Sequence, residues 1–453
     1  MTPDSLAEKG KSQKEALIDS INNSESSNFK QTVKEKSPIT SDLKSINNSI
    51  LTVSEEELSL LYIIPSQTMD FSILGQQLRL YKSKNDVLWN GFQETLPSNN
   101  TDEYSKVSSL LDKKLVPWLP NIESTLALRD SYNGTGIVIC VGDHFVHLAI
   151  ATMRMIREIH GCQLPFEIFY NGIHDLSKSN QGLIQVISNT KLVDISELLD
   201  QKIVQINGWS IKPFAVLLST FQNAILIDAD IVFLQSPELL VDSIGFRTHG
   251  ALFFKDRTLG EIVPKSLEWL KSLMATPPSD KSKNLRIFKG ISEHEQDSGV
   301  LLINKKERFS GLLATCILNV GGVRKIVYDR DKETFWLGFE TTQDDYTFNK
   351  NLPGVIGIST IENNLYRICG RQTIYFDDDK VPLWINGGIV ESKFQFESPV
   401  IHVKEYVSEP GVWKIEKGNI ACLSTESSST LISIEMLDII KRSGMIFLEA
   451  RKA

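Results

Sequence analysis

Residues 224–234 read AILIDADIVFL, an apolar run of strand length that carries two aspartates, Asp228 and Asp230, one residue apart. In an extended chain residues i and i+2 point to the same side, so the two carboxylates project together. They follow four apolar residues and so fall at the carboxyl end of the strand, where open α/β sheets bind ligands. Two ionised carboxylates held that close repel each other and keep their charge beside a cation. Oxygen-only ligands favour Mg²⁺ or Mn²⁺, ions that share their remaining positions with water and substrate phosphate. The pair therefore reads as a clamp for a metal and a diphosphate. The plainer alternative is a strand end turning into solvent, with Ser236 capping a helix that starts at Pro237.

Outward from this stretch the pattern alternates. Upstream come apolar GIVICV (136–141), then Phe145, Leu148, Ala149, Thr152, Ile156 and Ile159 at helical spacing, then FEIFY (166–170), which is strand, helix, strand. KLVDI follows, and then the helical KPFAVLLSTF, where Pro213 suits a first turn. Downstream, ALFF and GVLLIN are further apolar runs of strand length. Continuous apolar strands in β/α units imply a sheet buried on both faces, the α/β class. The catalytic domain is placed at 131–425. Residues 1–50, serine-rich with Phe29 as the one aromatic, read as a disordered tail or stem. Residues 51–130 read as a helical stalk or cap, and 426–453 as an amphipathic C-terminal helix.

Composition excludes several partners. With 48 basic against 56 acidic residues the net charge is −8, which leaves no electrostatic footprint for nucleic acid or anionic lipid. The five cysteines form no CxxC pair and no zinc spacing, and an odd count leaves at least one thiol unpaired within the chain. No stretch approaches the roughly 18 apolar residues of a spanning helix. Four Asn-x-Ser/Thr sequons, at Asn22, Asn47, Asn99 and Asn133, hint at a secretory lumen. Gly134, Gly136 and Gly142 do not form GxGxxG after a strand, which argues against a dinucleotide cofactor.

Two enzyme classes use such a pair. In phosphatases of the haloacid-dehalogenase type, Asp228 would be nucleophile and Asp230 general acid, but that pair follows the first strand of its sheet. Here at least three β/α elements precede it, as in nucleotide-sugar glycosyltransferases. WSIKPFAVLLSTFQNAILIDADIVFLQSPE, ALFFKDRTL, EQDSGVLLINK, DKETFWLGFE and PLWINGG, in this order, resemble the fungal α-1,3-mannosyltransferase family. The resemblance spans about 131–420. It implies a GT-A-type glycosyltransferase fold, a Rossmann-like mostly parallel sheet with helices on both faces. It further implies GDP-mannose as donor, a mannosylated N- or O-linked glycan as acceptor, Mn²⁺ as cofactor and anomeric retention. Members are Golgi enzymes of type II membrane topology with an N-terminal anchor and a stem; residues 1–50 read as the stem, and the anchor is expected either to precede this sequence or to be replaced by another route of delivery. A non-catalytic glycan-binding homologue is the other alternative.

The remaining candidates follow from these motifs. Gln296 and Asp297 precede a buried strand, and Gly299 allows close approach; by resemblance this segment lies beside the reacting sugar, where Asp297 could stabilise positive charge. Asp331, Lys332 and Glu333 stand ahead of Phe335, Trp336 and Leu337. In a sugar site carboxylates bind hydroxyls, a lysine meets phosphate and Trp336 stacks on a ring; read plainly the same segment starts a helix whose aromatics are core. Lys212 precedes a helix N-terminus, a natural anion site, or is a solvated lysine. Asp344, Asp345 and residues 377–379 read as loop charges. His402 and Lys404, at i and i+2 in SPVIHVKEY, are expected to complete the metal site and to meet the diphosphate, a histidine late in the chain being what related retaining enzymes supply.

Overall fold

The computed structural model describes residue 60 and residues 71–89, 98–260, 264–274, 279–321, 332–392, 398–417 and 420–452. The tail read at 1–50 lies outside the described residues. Four segments form parallel strands: β1 (Thr135–Cys140), β2 (Phe166–Tyr170), β3 (Thr190–Asp194) and β4 (Asn223–Ile227). Their order in space is β3-β2-β1-β4, so the chain first builds outward from β1 and then returns to its other side. That reversal between β1 and β4 is a topological switch point, and the carboxyl ends of these two strands flank it.

After β4 come β5 (Val232–Phe233), β6 (Ala251–Lys255), β7 (Gln296–Asn304) and β8 (Thr347–Phe348). The seven-stranded sheet continues β4-β7-β6-β8, with β7 antiparallel to both its neighbours and β6 parallel to β8. The sheet is thus mixed. Residues Gln296–Ile303 of β7 are all buried, as a strand covered on both faces must be.

Nine further strands complete two antiparallel sheets: β9 (Gly354–Gly357), β10 (Ser359–Glu362), β11 (Leu365–Gly370), β12 (Thr373–Phe376), β13 (Pro382–Asn386), β14 (Glu405–Ser408), β15 (Val412–Glu416), β16 (Ile420–Thr425) and β17 (Thr430–Leu431). One has the order β17-β14-β9-β12-β13-β5 and the other β10-β11-β16-β15. Sequence patterning did not separate these short strands from loop. A disulfide joins Cys369 to Cys422, which face each other in the β11–β16 register. Cys140, Cys162 and Cys316 are not part of a disulfide.

The longer helices include α1 (Phe71–Trp89), α2 (Ser98–Leu115), α3 (Val146–Glu158), α4 (Ile211–Leu218), α5 (Phe309–Leu318), α6 (Lys332–Thr342) and α7 (Ile434–Ala450). α3 buries Leu148, Ala149, Thr152 and Ile156, the stripe its spacing predicts. Each large apolar side chain so buried contributes about 1.5–3 kcal/mol. α7 lays Met436, Ile440 and Phe447 into the same core and is tied to α3 by Arg154–Glu449 at 2.8 Å and by Arg442 donating to Glu158 O at 3.0 Å. No helix among the described residues is long and apolar enough to cross a membrane.

Candidate active site

Asp228 to Ile231 form the joint between two sheets. β4 belongs to the mixed sheet, while β5 pairs antiparallel with β13 in the six-stranded one. The chain crosses between them in a tight turn, closed by Ile231 N donating to Asp228 O at 3.3 Å. Three neighbours fix this turn. Asp228 N donates to Gly299 O at 2.8 Å and Gly388 N to Asp230 O at 2.8 Å. From α3, Thr152 Oγ1 lies 2.8 Å from Ala229 O and 3.0 Å from Ile231 O, sharing its one proton between them. Gly388 stands at φ +76°, a conformation a side chain would strain.

A cleft of about 1100 Å³ opens over this joint, at the ends of β1 and β4. Lys212, Asp228, Asp230, Asp297, Arg257 and Asn386 all line it. Lys212 is not the solvated lysine of the plainer reading. It is 5% exposed, and its Nζ lies 2.8 Å from Asp228 Oδ1 and donates to Ser298 Oγ at 3.1 Å. Burial is the main cause that pushes the Asp228 carboxyl up, to about 6; the Lys212 ammonium opposes the shift and the Asp230 charge adds to it. The pair is therefore a site where negative charge is held at a cost that a cation relieves. Asp297 Oδ1 accepts from Gly299 N at 2.6 Å, and Asn386 Nδ2 donates to Asp297 at 3.1 and 3.2 Å. A Cβ on Gly299 would stand 2.8 Å from both side chains, so glycine is what lets them meet.

Several candidates fall elsewhere, and these are corrections. Trp336 is fully buried, its Nε1 donating to Glu333 Oε2 at 2.6 Å and its ring edge-on to Phe288. It cannot stack on a sugar from there. Glu333, also buried, accepts from Glu295 N at 3.1 Å and so pins α6 to the strand entry. Gln296 Oε1 accepts from Trp336 N at 3.2 Å in the same core. None of these three lines the cleft. The plainer reading of this segment, a helix start with core aromatics, describes α6. Asp331 lies outside the described residues, and Lys332 is the first residue of α6. Asp344 sits in a loop as expected but is buried, accepting from Gly311 N at 3.0 Å.

His402 and Lys404 are exposed and do not line the cleft. The segment before His402 is tied at Val390–Val400, an antiparallel bridge, and by Ile401 N donating to Ile389 O at 3.0 Å. Among the described residues no group of three His, Cys, Asp or Glu side chains could hold a metal ion, so the expectation that His402 completes the site with the two aspartates is not met here. Asp228 and Asp230 suit an ion that takes its other oxygens from a bound diphosphate and water.

Reasoning from the sequence missed Arg257, Asn386 and Thr152 as site residues. The first two sit inside quoted motifs, ALFFKDRTL and PLWINGG, which was the available signal; Thr152 was read as one more position of a buried stripe. The aspartate pair follows the fourth strand in chain order, after three parallel ones, which a haloacid-dehalogenase arrangement does not match.

A family model described as "Mannosyltransferase putative" matches residues 134–377. The α-1,3-mannosyltransferase MNT3 of Saccharomyces cerevisiae is 28% identical over 329 residues, covering 64% of this chain and 51% of that protein. The α-1,3-mannosyltransferase MNT2 of the same organism is 25% identical over 296 residues, covering 56% and 51%. The chain spans about half the length of the curated relatives it matches. Among solved structures, the mannosyltransferase Ktr4p from S. cerevisiae aligns with a TM-score of 0.33 at 10% identity, covering 48% of this chain and 68% of that one.

Proposed function

Because this chain belongs to the fungal α-1,3-mannosyltransferase family, we propose that it moves mannose from GDP-mannose to a mannose hydroxyl of an N- or O-linked glycan, with retention and in α-1,3 linkage. Its α/β architecture is of the GT-A type. The observation that carries the reading is the convergence of Asp228, Asp230, Lys212 and Asp297 on one cleft at the switch point.

Asp228 and Asp230 would hold Mn²⁺, which takes its other oxygens from the donor diphosphate and water. When bound, the ion supplies charge neutralisation to the diphosphate leaving group. Lys212, already beside Asp228, places a second positive charge where the diphosphate departs. Asp297, oriented by Asn386 and the Gly299 amide, presents a carboxylate that stabilises positive charge developing at the anomeric carbon. Attack by the acceptor from the face the leaving group vacates gives retention. A Golgi lumen suits the reading, and the Cys369–Cys422 disulfide fits an oxidising compartment.

The test is to incubate the purified chain with Mn²⁺ and a panel of nucleotide sugars and follow slow donor hydrolysis. Release of GDP from GDP-mannose alone supports the proposal; hydrolysis of another donor instead, or of none, removes it.

A further inference from the structure

With Trp336 in the core, the cleft has another indole at its rim. Trp209 lines it and is 61% exposed. Its backbone is tied down by hydrogen bonds. The turn Gly208–Ser210 opens at Gly208, φ +55°, and is closed by Ser210, whose Oγ accepts from Asn207 N at 2.9 Å and donates to Asn207 O at 3.1 Å. Ser210 and Ile211 on its carboxyl side are buried. The turn runs directly into α4, so Trp209 stands three residues, one turn, before Lys212. A large apolar ring held on fixed backbone and left in water loses free energy unless a ligand covers it.

We infer that Trp209 is the platform for the acceptor saccharide, stacking its indole on the C–H face of a pyranose ring; this rests on the mannosyltransferase reading above. Two rims of the cleft compete for the nucleoside. At the ends of β1 and β2, Asp143, Asn171 and Asp175 offer the hydrogen-bonding groups that read a base and a ribose. Beside Trp209 the lining residues Ile206 and Ile211 are apolar and offer no side-chain partner to a base edge. The polar rim takes the nucleoside, the Lys212–Asp228 region the diphosphate, and the apolar rim one turn further out the ring face of the incoming sugar. An exposed indole stacks without contributing to the fold, so its removal costs binding and not stability.

The experiment is calorimetric binding of α-1,3-mannobiose to the full chain, without donor, for wild type, W209A and W209F, with GDP titrated separately in the presence of Mn²⁺. W209A is expected to weaken mannobiose by about tenfold and W209F by less than about threefold, with GDP affinity unchanged. Equal mannobiose affinity in all three chains, or no binding by wild type, overturns the inference. So does a loss of GDP affinity in W209A, which would put the base on the indole. Donor hydrolysis by wild type decides the underlying activity separately.

Discussion

Asp228 couples the charge of the site to pH. Its carboxyl is pushed up to about 6 chiefly by burial, against an ordinary aspartate near 4. A proton and a metal ion compete for the same oxygens, so raising the pKa makes protons competitive at higher pH. Mn²⁺ affinity, measured by calorimetry with GDP present, is therefore expected to be steady near pH 7 and to fall by about tenfold per unit below about pH 6. An affinity that stays level to pH 5 would take Asp228 out of the coordination. Glu333 gives the opposite expectation from the one its motif suggests. It serves the buried Glu295 amide and the Trp336 indole N–H, so Glu333→Ala leaves two buried donors unpaired and should cost about 2–4 kcal/mol in urea unfolding. A fall in kcat with no change in unfolding midpoint would return Glu333 to the chemistry.

Elements were legible where their residues had one job. β1 and β4 carry the continuous apolar runs GIVIC and AILI, and α3 a clean stripe, because burial selected those residues. The strands from β9 to β17 are short, β10 and β15 are largely open to solvent, β11 is half-buried, and several rest on pairing with distant partners, which no local period records. The aspartate pair was readable because charge in an apolar run has few explanations. The DKETFW segment was not, because carboxylate and aromatic residues serve a helix start as well as a sugar site. Thr152 shows the same limit: on the helix it is a stripe residue, and only the fold reveals that it holds the carbonyls of the aspartate turn. Thr152→Val keeps the shape and removes the proton, and is expected to lower stability by about 1–3 kcal/mol and to weaken Mn²⁺-dependent GDP binding. Unchanged GDP affinity would show that the turn keeps its position without this hydroxyl.

At the scale of the molecule, the switch point of the mixed sheet and the joint to the six-stranded sheet coincide, and the cleft lies over both. The mixed sheet supplies Asp228 and Asp297, the second sheet supplies Asn386, and α4 supplies Lys212, so the site exists only when both sheets are assembled. This is why family motifs spread over some 170 residues converge, from Lys212 to Asn386. On the proposed function the carboxylate pair serves transfer from GDP-mannose. This role is tested most directly by the rate of mannose transfer from GDP-mannose to α-1,3-mannobiose at saturating Mn²⁺, for wild type and Asp230→Asn. The variant keeps the turn's backbone bonds and should melt with the wild type while losing at least about a hundredfold in rate, roughly 2.7 kcal/mol of transition-state stabilisation. Equal rates for the two chains would contradict the account.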